Sequence, residues 1–244
     1  EENQKNYFSN KWGNKLISAR WNKIVTKSLF LNTTVAYTKF RYSNSYGFRI
    51  NKNSKDVYYY SNIEDFILNM NSEWNISNKY SIVFGTNNFF HIYNPSTTNV
   101  SFVENNIQKD SVYGIKRIYA IENNLYVENK FYLLNFFSTN IGFNVSNYKC
   151  LKDKNYLSFQ PRVLLNFYLD SKFSIKMTYS KMEQYNHLLT SNSVTNSVNI
   201  WIPSQNNINP SKSTQYSIGL YKTLMGGKLE VRDRKSTRLN SSHR

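Results

Sequence analysis

The sequence predicts an all-β chain: an antiparallel transmembrane β-barrel meander, partial, of about ten strands and not closed. Three observations carry that expectation. Segments of roughly ten residues alternate apolar and polar side chains, which is the period of a strand with two unlike faces. The connections between them run short, long, short again, as in a barrel with tight turns at one rim and long loops at the other. No apolar run approaches the ~18 residues that a membrane helix needs, yet aromatics reach 16%, with 20 Tyr and 16 Phe, residues suited to pleated, half-buried surfaces.

The elements follow in order. Residues 16–22 set Ile17, Ala19 and Trp21 against Ser18, Arg20 and Asn22, and a second strand spans 29–42. A polar stretch, 43–56, reads as a loop. The third strand, 63–74, places Phe66, Leu68, Met70 and Trp74 opposite Asp65, Asn69, Asn71 and Glu73. A short turn at 75–79 leads to the fourth, 80–93, with Tyr80, Ile82, Phe84, Phe90 and Ile92 together. Residues 94–110, polar and containing Pro95, read as a loop.

The fifth strand, 115–128, sets Tyr119, Ile121, Leu125 and Val127 against Ala120, Glu122, Asn124, Tyr126 and Glu128. The sixth alternates Phe137, Thr139, Ile141, Phe143 and Val145 with Ser138, Asn140, Gly142, Asn144 and Ser146. A lysine-rich loop at 149–154 carries Cys150. The seventh strand is 157–168 and the eighth 174–184, with a short turn between them. A very long loop, 185–212, precedes a ninth strand at 214–223 and a tenth that barely begins. Alternating short and long links follow from a bilayer-spanning meander, whose even connections all lie on one side. Trp74 and Tyr80 bracket one short turn as an aromatic girdle would.

Composition narrows the function classes. The net charge of +16 raises the question of nucleic acid. Five of the basic groups and one acid lie in residues 232–244, so the rest of the chain carries +12. The remaining Lys is scattered among abundant Asn, Ile, Tyr and Phe, residues with AT-rich codons, and no recognition helix is evident. No nucleic-acid partner is expected. The single cysteine, Cys150, excludes an internal disulfide and paired-cysteine metal sites. The chain begins Glu1-Glu2-Asn3-Gln4, without the apolar segment of a signal peptide. Either the protein is cytoplasmic or this is an internal piece of a longer precursor, and the strand rhythm favours the second.

Several segments together resemble a known family. Near the start stand Lys11-Trp12-Gly13-Asn14-Lys15-Leu16-Ile17-Ser18-Ala19-Arg20-Trp21-Asn22, Leu29-Phe30-Leu31-Asn32-Thr33 and Ala36-Tyr37-Thr38. Phe84-Gly85, His91-Ile92-Tyr93-Asn94-Pro95 and Pro161-Arg162 follow. Then come Ser174-Ile175-Lys176-Met177-Thr178-Tyr179-Ser180, Gln184-Tyr185-Asn186-His187-Leu188-Leu189, Ile200-Trp201-Ile202-Pro203-Ser204, Asn209-Pro210 and Gln215-Tyr216-Ser217-Ile218-Gly219. In order and spacing, over residues 11–231, these resemble the C-terminal β-barrel of TonB-dependent outer-membrane receptors of the Bacteroidetes type.

The resemblance implies a barrel of about 22 strands, a plug domain, and a periplasmic segment that contacts the TonB energy-transducing complex. Residues 1–231 would then be a partial outer-membrane β-barrel domain. Residues 232–244 break the alternation, resemble translated sequencing adapter and form a non-native tail. The remaining partner would be outer-membrane lipid, and the location the cell outer membrane of a Gram-negative bacterium.

Catalytic chemistry has no footing here. Metalloprotease, phosphate-loop, dinucleotide and nucleophile-elbow motifs are absent. Glu64 and Asp65 are adjacent and point to opposite faces of a strand. Glu122 and Glu128 share a face but lie about 20 Å apart along it, too far for a catalytic pair. No enzyme, cofactor or metal role is expected. The candidates for substrate contact are His91, on the polar face of the fourth strand, and His187 and Trp201 in the long loop. The expected function is energised uptake of a large scarce nutrient: a metal chelate, cobalamin, an oligosaccharide or a peptide. The alternative is a structural or adhesive surface β-protein that binds partners through its loops.

Overall fold

The computed structural model describes residues 4–151, 153–170, 172–192, 197–224 and 229–241. Along the described residues the strands are β1 (Gln4–Thr26), β2 (Leu29–Ile50), β3 (Asn53–Ser77), β4 (Tyr80–Glu104), β5 (Ile107–Gly114), β6 (Ile118–Leu134), β7 (Phe137–Cys150), β8 (Asn155–Tyr168), β9 (Phe173–Gln184), β10 (Asn186–Asn192), β11 (Ser197–Pro203), β12 (Ser211–Leu224) and β13 (Leu229–Ser241). Ten of them form one antiparallel meander in the order β1-β2-β3-β4-β6-β7-β8-β9-β12-β13. β5 pairs with the outer half of β4, and β10 with β11 makes a separate hairpin. Among the described residues no ladder joins β1 to β13, so the sheet does not close on itself.

The registers sort the side chains into two faces, because residues paired across a ladder point the same way. Ile17 pairs with Tyr37 and Tyr37 with Phe66. Phe66 pairs with Phe90, Phe90 with Ile121, Val127 with Phe143, Ile141 with Val163, Leu165 with Met177, and Met177 with Ile218. Phe66, Leu68, Met70, Ile82, Phe84, Ile141, Phe143, Val163, Leu165 and Met177 thus share one face, as the alternation predicts. Glu122, Asn140, Asn144, Arg162 and Lys176 lie on the other.

The apolar side chains splay outward, with Leu125 at 64% and Leu157 at 75% exposure, while Asn124, Ser146, Ser158 and Gln160 opposite them are buried. The polar face is therefore the concave one. A broad apolar surface left open to the outside is what a sheet facing lipid presents.

Two aromatic bands bound this apolar belt. Rings of Tyr37, Phe66, Phe90 and Tyr119 follow one another across β2, β3, β4 and β6, with centroids 5.1, 6.4 and 6.2 Å apart. At the other margin Tyr80 stacks on Phe131 at 4.6 Å and Phe137 meets Phe167 at 4.9 Å. Tyr80 and Phe90 are ten residues apart on β4. At ~3.3 Å per residue and the ~40° tilt usual in such walls, that is about 25 Å, the height of an outward apolar band.

One rim carries the tight turns. The links after β1, β3 and β6 have two residues each, and a bulge lies one step inside each of them. Bulges add twist where strands must coil. Hydroxyls cap two of these turns: Thr26 Oγ1 accepts the Leu29 amide at 3.1 Å, and Ser77 Oγ accepts that of Lys79 at 3.3 Å. Such side-chain caps do the work elsewhere left to glycine.

The other rim differs from the sequence reading. Residues 43–56 are not a loop: β2 and β3 run on to a two-residue turn in which Asn51 has φ 54°. Residues 94–110 likewise continue as strand, turning at Asn105 (φ 50°) and Asn106 (φ 65°). Asparagine tolerates this left-handed region better than most residues. Pro95, read as a loop marker, sits in an irregularity where β4 carries one extra residue against β3. There its missing N–H costs no ladder bond. The segment 185–212 contains the β10–β11 hairpin, and the last strand spans Leu229–Ser241 rather than barely beginning.

Candidate functional site on the concave face

The concave face changes character from one rim to the other. Midway it is a shelf of amides and charges. Glu122, Asn124, Glu128, Asn144, Gln160 and Arg162, from β6, β7 and β8, line a cavity of about 380 Å³. Asn124 Nδ2 donates to Glu122 Oε1 at 2.8 Å, and Asn140 Nδ2 to Glu128 Oε1. Gly85 opens room at its edge. A Cβ there would stand 2.1 Å from the Met70 carbonyl oxygen and 2.7 Å from the Tyr126 hydroxyl, which donates to Asn71 Oδ1 at 2.7 Å. The Tyr126 ring covers the bare glycine, a familiar pairing in sheets.

Above the shelf lies His91. It is 3% exposed, and its Nδ1–H donates to Asp65 Oδ1 at 2.7 Å, an ionised carboxylate being acceptor only. Nε2 is 3.6 Å from Glu122 Oε2. The ring stacks on Phe89 at 5.6 Å and 4°. The imidazole ties β3, β4 and β6 together at one level. Replacing His91 with Phe would leave Asp65 Oδ1 without this donor, Oδ2 keeping only the long contact from Thr38 Oγ1 at 3.4 Å, and is expected to lower stability by about 1–3 kcal/mol. His91→Gln, which can still donate, should recover most of that in denaturant titrations of the complete protein. Among the described residues no group of three or more His, Cys, Asp or Glu converges to hold a metal ion.

Near the loop rim the concave face turns apolar. Ile63, Tyr93, Ala120, Tyr148, Cys150 and Tyr185 form a buried cluster, with Phe40, Ile118, Tyr156 and Trp201 packed against it. Tyr148 and Tyr185 stack at 4.4 Å and 2°. The Tyr93 hydroxyl donates to Asn186 Oδ1, and Trp201 meets Phe40 edge-on at 6.4 Å. These contacts fold the β10–β11 hairpin onto the wall. Cys150, 1% exposed, fills space there as a small apolar side chain.

The weak sequence candidates fall in two places. His91 is built into the wall, its ring 5.7 Å from Tyr93 and 6.5 Å from Tyr148. Trp201 belongs to the cluster that holds the hairpin down. His187 pairs with Ile202, on the opposite face of the hairpin from Trp201, and its Nε2 is hydrogen-bonded to Ser204 Oγ at 2.9 Å. The structure thus joins His91 and Trp201 through one aromatic cluster and leaves His187 apart. Sequence reasoning missed Asp65 and Glu122 as partners of His91, and missed the Tyr93–Tyr148–Tyr185 cluster.

These features define a class: a wall segment of a large transmembrane β-barrel. No protein-family model matches the chain, and neither does any curated protein sequence. Its fold is similar to the RagAB peptide transporter, with a TM-score of 0.61 and 11% identity over 96% of this chain and 30% of that one. It is similar to the ferric yersiniabactin uptake receptor FyuA from Yersinia pestis, with a TM-score of 0.60 and 13% identity over 96% and 36% of the two chains. It is also similar to the copper transporter OprC, at 0.54 and 11% over 94% and 45%. The chain spans less than half the length of each. At the level of fold, then, the chain is similar to part of the barrel wall of these receptors and transporters.

Proposed function

We propose that this chain is part of the wall of a receptor in the outer membrane of a Gram-negative bacterium. The receptor takes up a large scarce nutrient (a metal chelate, cobalamin, an oligosaccharide or a peptide) with energy delivered by the TonB complex. The observation that supports this most directly is the predominantly apolar belt, carried from β1 to β12 and bounded by two aromatic bands, over a polar concave face. A soluble adhesive sheet would have no reason to leave that belt open to the outside. On this reading a plug domain and a TonB-contacting segment belong to the same precursor. The similar structures carry different cargoes by name: a peptide, ferric yersiniabactin and copper. The wall therefore leaves the cargo open; of the three candidates His91 is buried in the wall and Trp201 packs in the cluster under the hairpin, so His187 is the one left to contact it.

In the same proposal residues 1–231 are the barrel portion and 232–244 a foreign tail. What supports it is register. β13 sets Asp233 opposite Leu220 and Lys235 opposite Ile218 on the apolar face, level with Ile175 and Met177. A lysine at mid-membrane on the lipid side costs about 2–4 kcal/mol.

The test is uptake by cells carrying or lacking the complete gene, with each cargo class offered in turn. Uptake of one class should vanish on deletion and also when the membrane energy is collapsed. Uptake that persists without that energy would contradict the reading.

A further inference from the structure

We propose that the convex face of β1–β3 holds a site for the phosphorylated headgroup of an outer-leaflet lipid. The inference rests on the membrane reading above. Lys11, Lys15, Lys39 and Arg41 line an open groove of about 440 Å³. Lys15 pairs with Lys39, Gly13 with Arg41 and Lys11 with Ser43, all in the register of Ile17 and Tyr37. The four cations therefore stand on the outward face, and they begin one outward step beyond Tyr37, a member of the aromatic band nearer the loop rim. Side chains at that level of a barrel meet lipid headgroups.

The groove is arranged for an anion. One carboxylate, Glu64, answers the four cations: Lys39 Nζ lies 2.8 Å from its Oε1, and the Tyr37 hydroxyl donates to its Oε2 at 2.7 Å. Arg41 is held from two sides, donating through Nη2 to the Tyr58 hydroxyl at 2.8 Å and lying 5.0 Å over the Tyr60 ring. Lys15 and Lys39 are directly opposite across the ladder, a like-charge pairing that costs a sheet stability and that Glu64, bonded on the Lys39 side, answers only in part. Gly13 leaves the centre open, since a Cβ there would meet nothing within 4 Å. A phosphate matches this set in charge and in donors, with a fixed guanidinium and mobile ammonium groups around it. The outward placement at the belt's edge makes a lipid its bearer, because the lysine stems can lie along the apolar belt while their heads reach the headgroup.

The experiment uses the complete receptor in phosphatidylcholine vesicles with and without bisphosphorylated lipid A. The lipid A retained per receptor after detergent extraction is read by mass spectrometry. Lys15→Gln with Arg41→Gln is expected to lower retention about thirtyfold, the scale of two neutralised surface cations. Lys15→Arg should retain it, and Lys52→Gln with Lys109→Gln, at the far end of the hairpins, should leave it unchanged. Heat-modifiable mobility on gels confirms that each variant is folded. Equal retention in the double variant and the parent, or ready displacement by inorganic phosphate, would overturn the headgroup site alone. Failure of the receptor to enter phosphatidylcholine vesicles at all would instead overturn the membrane reading.

Discussion

Ile141→Arg in the complete protein is expected to remove most of the folded, heat-modifiable protein from the membrane fraction, whereas Asn140→Arg should leave it near the parent level. The two residues are neighbours on β7 and differ only in face. Ile141 pairs with Asn129 and Val163 in the apolar belt, and Asn140 hydrogen-bonds to Glu128 on the concave side. An arginine at 141 must enter lipid, at about 2–4 kcal/mol near mid-membrane, a large share of a typical stability margin of about 5–15 kcal/mol. At 140 it finds water and the Glu128 carboxylate. Gel mobility before and after heating, on isolated membranes, measures both. Comparable losses in the two variants would mean that the faces have been assigned wrongly.

Tyr148→Ala should release the β10–β11 hairpin. Tyr148 is fully buried, stacked on Tyr185 at 4.4 Å and packed in the cluster that receives Trp201. Deleting a buried aromatic ring typically costs about 3–5 kcal/mol. Tyr185, the ring stacked on Tyr148, leads directly into the hairpin, so the loss falls on the hairpin's attachment to the wall. Limited proteolysis of the folded protein should cut within residues 186–203 much faster than in the parent. Tyr148→Phe keeps the stack and should behave like the parent. A Phe variant as sensitive as the Ala variant would show that the hydroxyl, not the ring, holds the hairpin.

Within the belt the fold was legible because each strand there separates lipid from water, and burial on one side only writes a period of two into the residues. Ile141 against Asn140 and Phe66 against Asp65 are unambiguous for that reason. Beyond the belt the signal fades. Residues 43–50 and 97–104 continue as strands, but they leave the belt behind and no longer divide lipid from water. Nothing there selects alternation, and a polar strand reads as a loop. Turns at Asn51 and Asn105-Asn106 were equally hidden in a chain rich in asparagine.

The site was less legible than the fold. His91 stood out as a histidine on a polar face, yet its partner could not be counted from the turn. A plain two-residue turn at 78–79 would continue the pairing that sets Ser77 opposite Tyr80 and so place His91 opposite Phe66. The bulge between Asn75 and Ser77 moves the register by one and brings Asp65 instead. One residue of slip exchanges the faces of a whole strand.

By itself, then, the sequence determined that this chain is a meander with one face for lipid and one for water, because that distinction acts on every residue through its own side chain. Only the tertiary structure decided what depends on register and on contacts far apart in the chain. Those are the bulges that aim Asp65 at His91, the hairpin folded onto Tyr148, and the four cations gathered from β1 and β2 on one outward patch. Such contacts follow from the geometry between strands, to which no single segment holds the key.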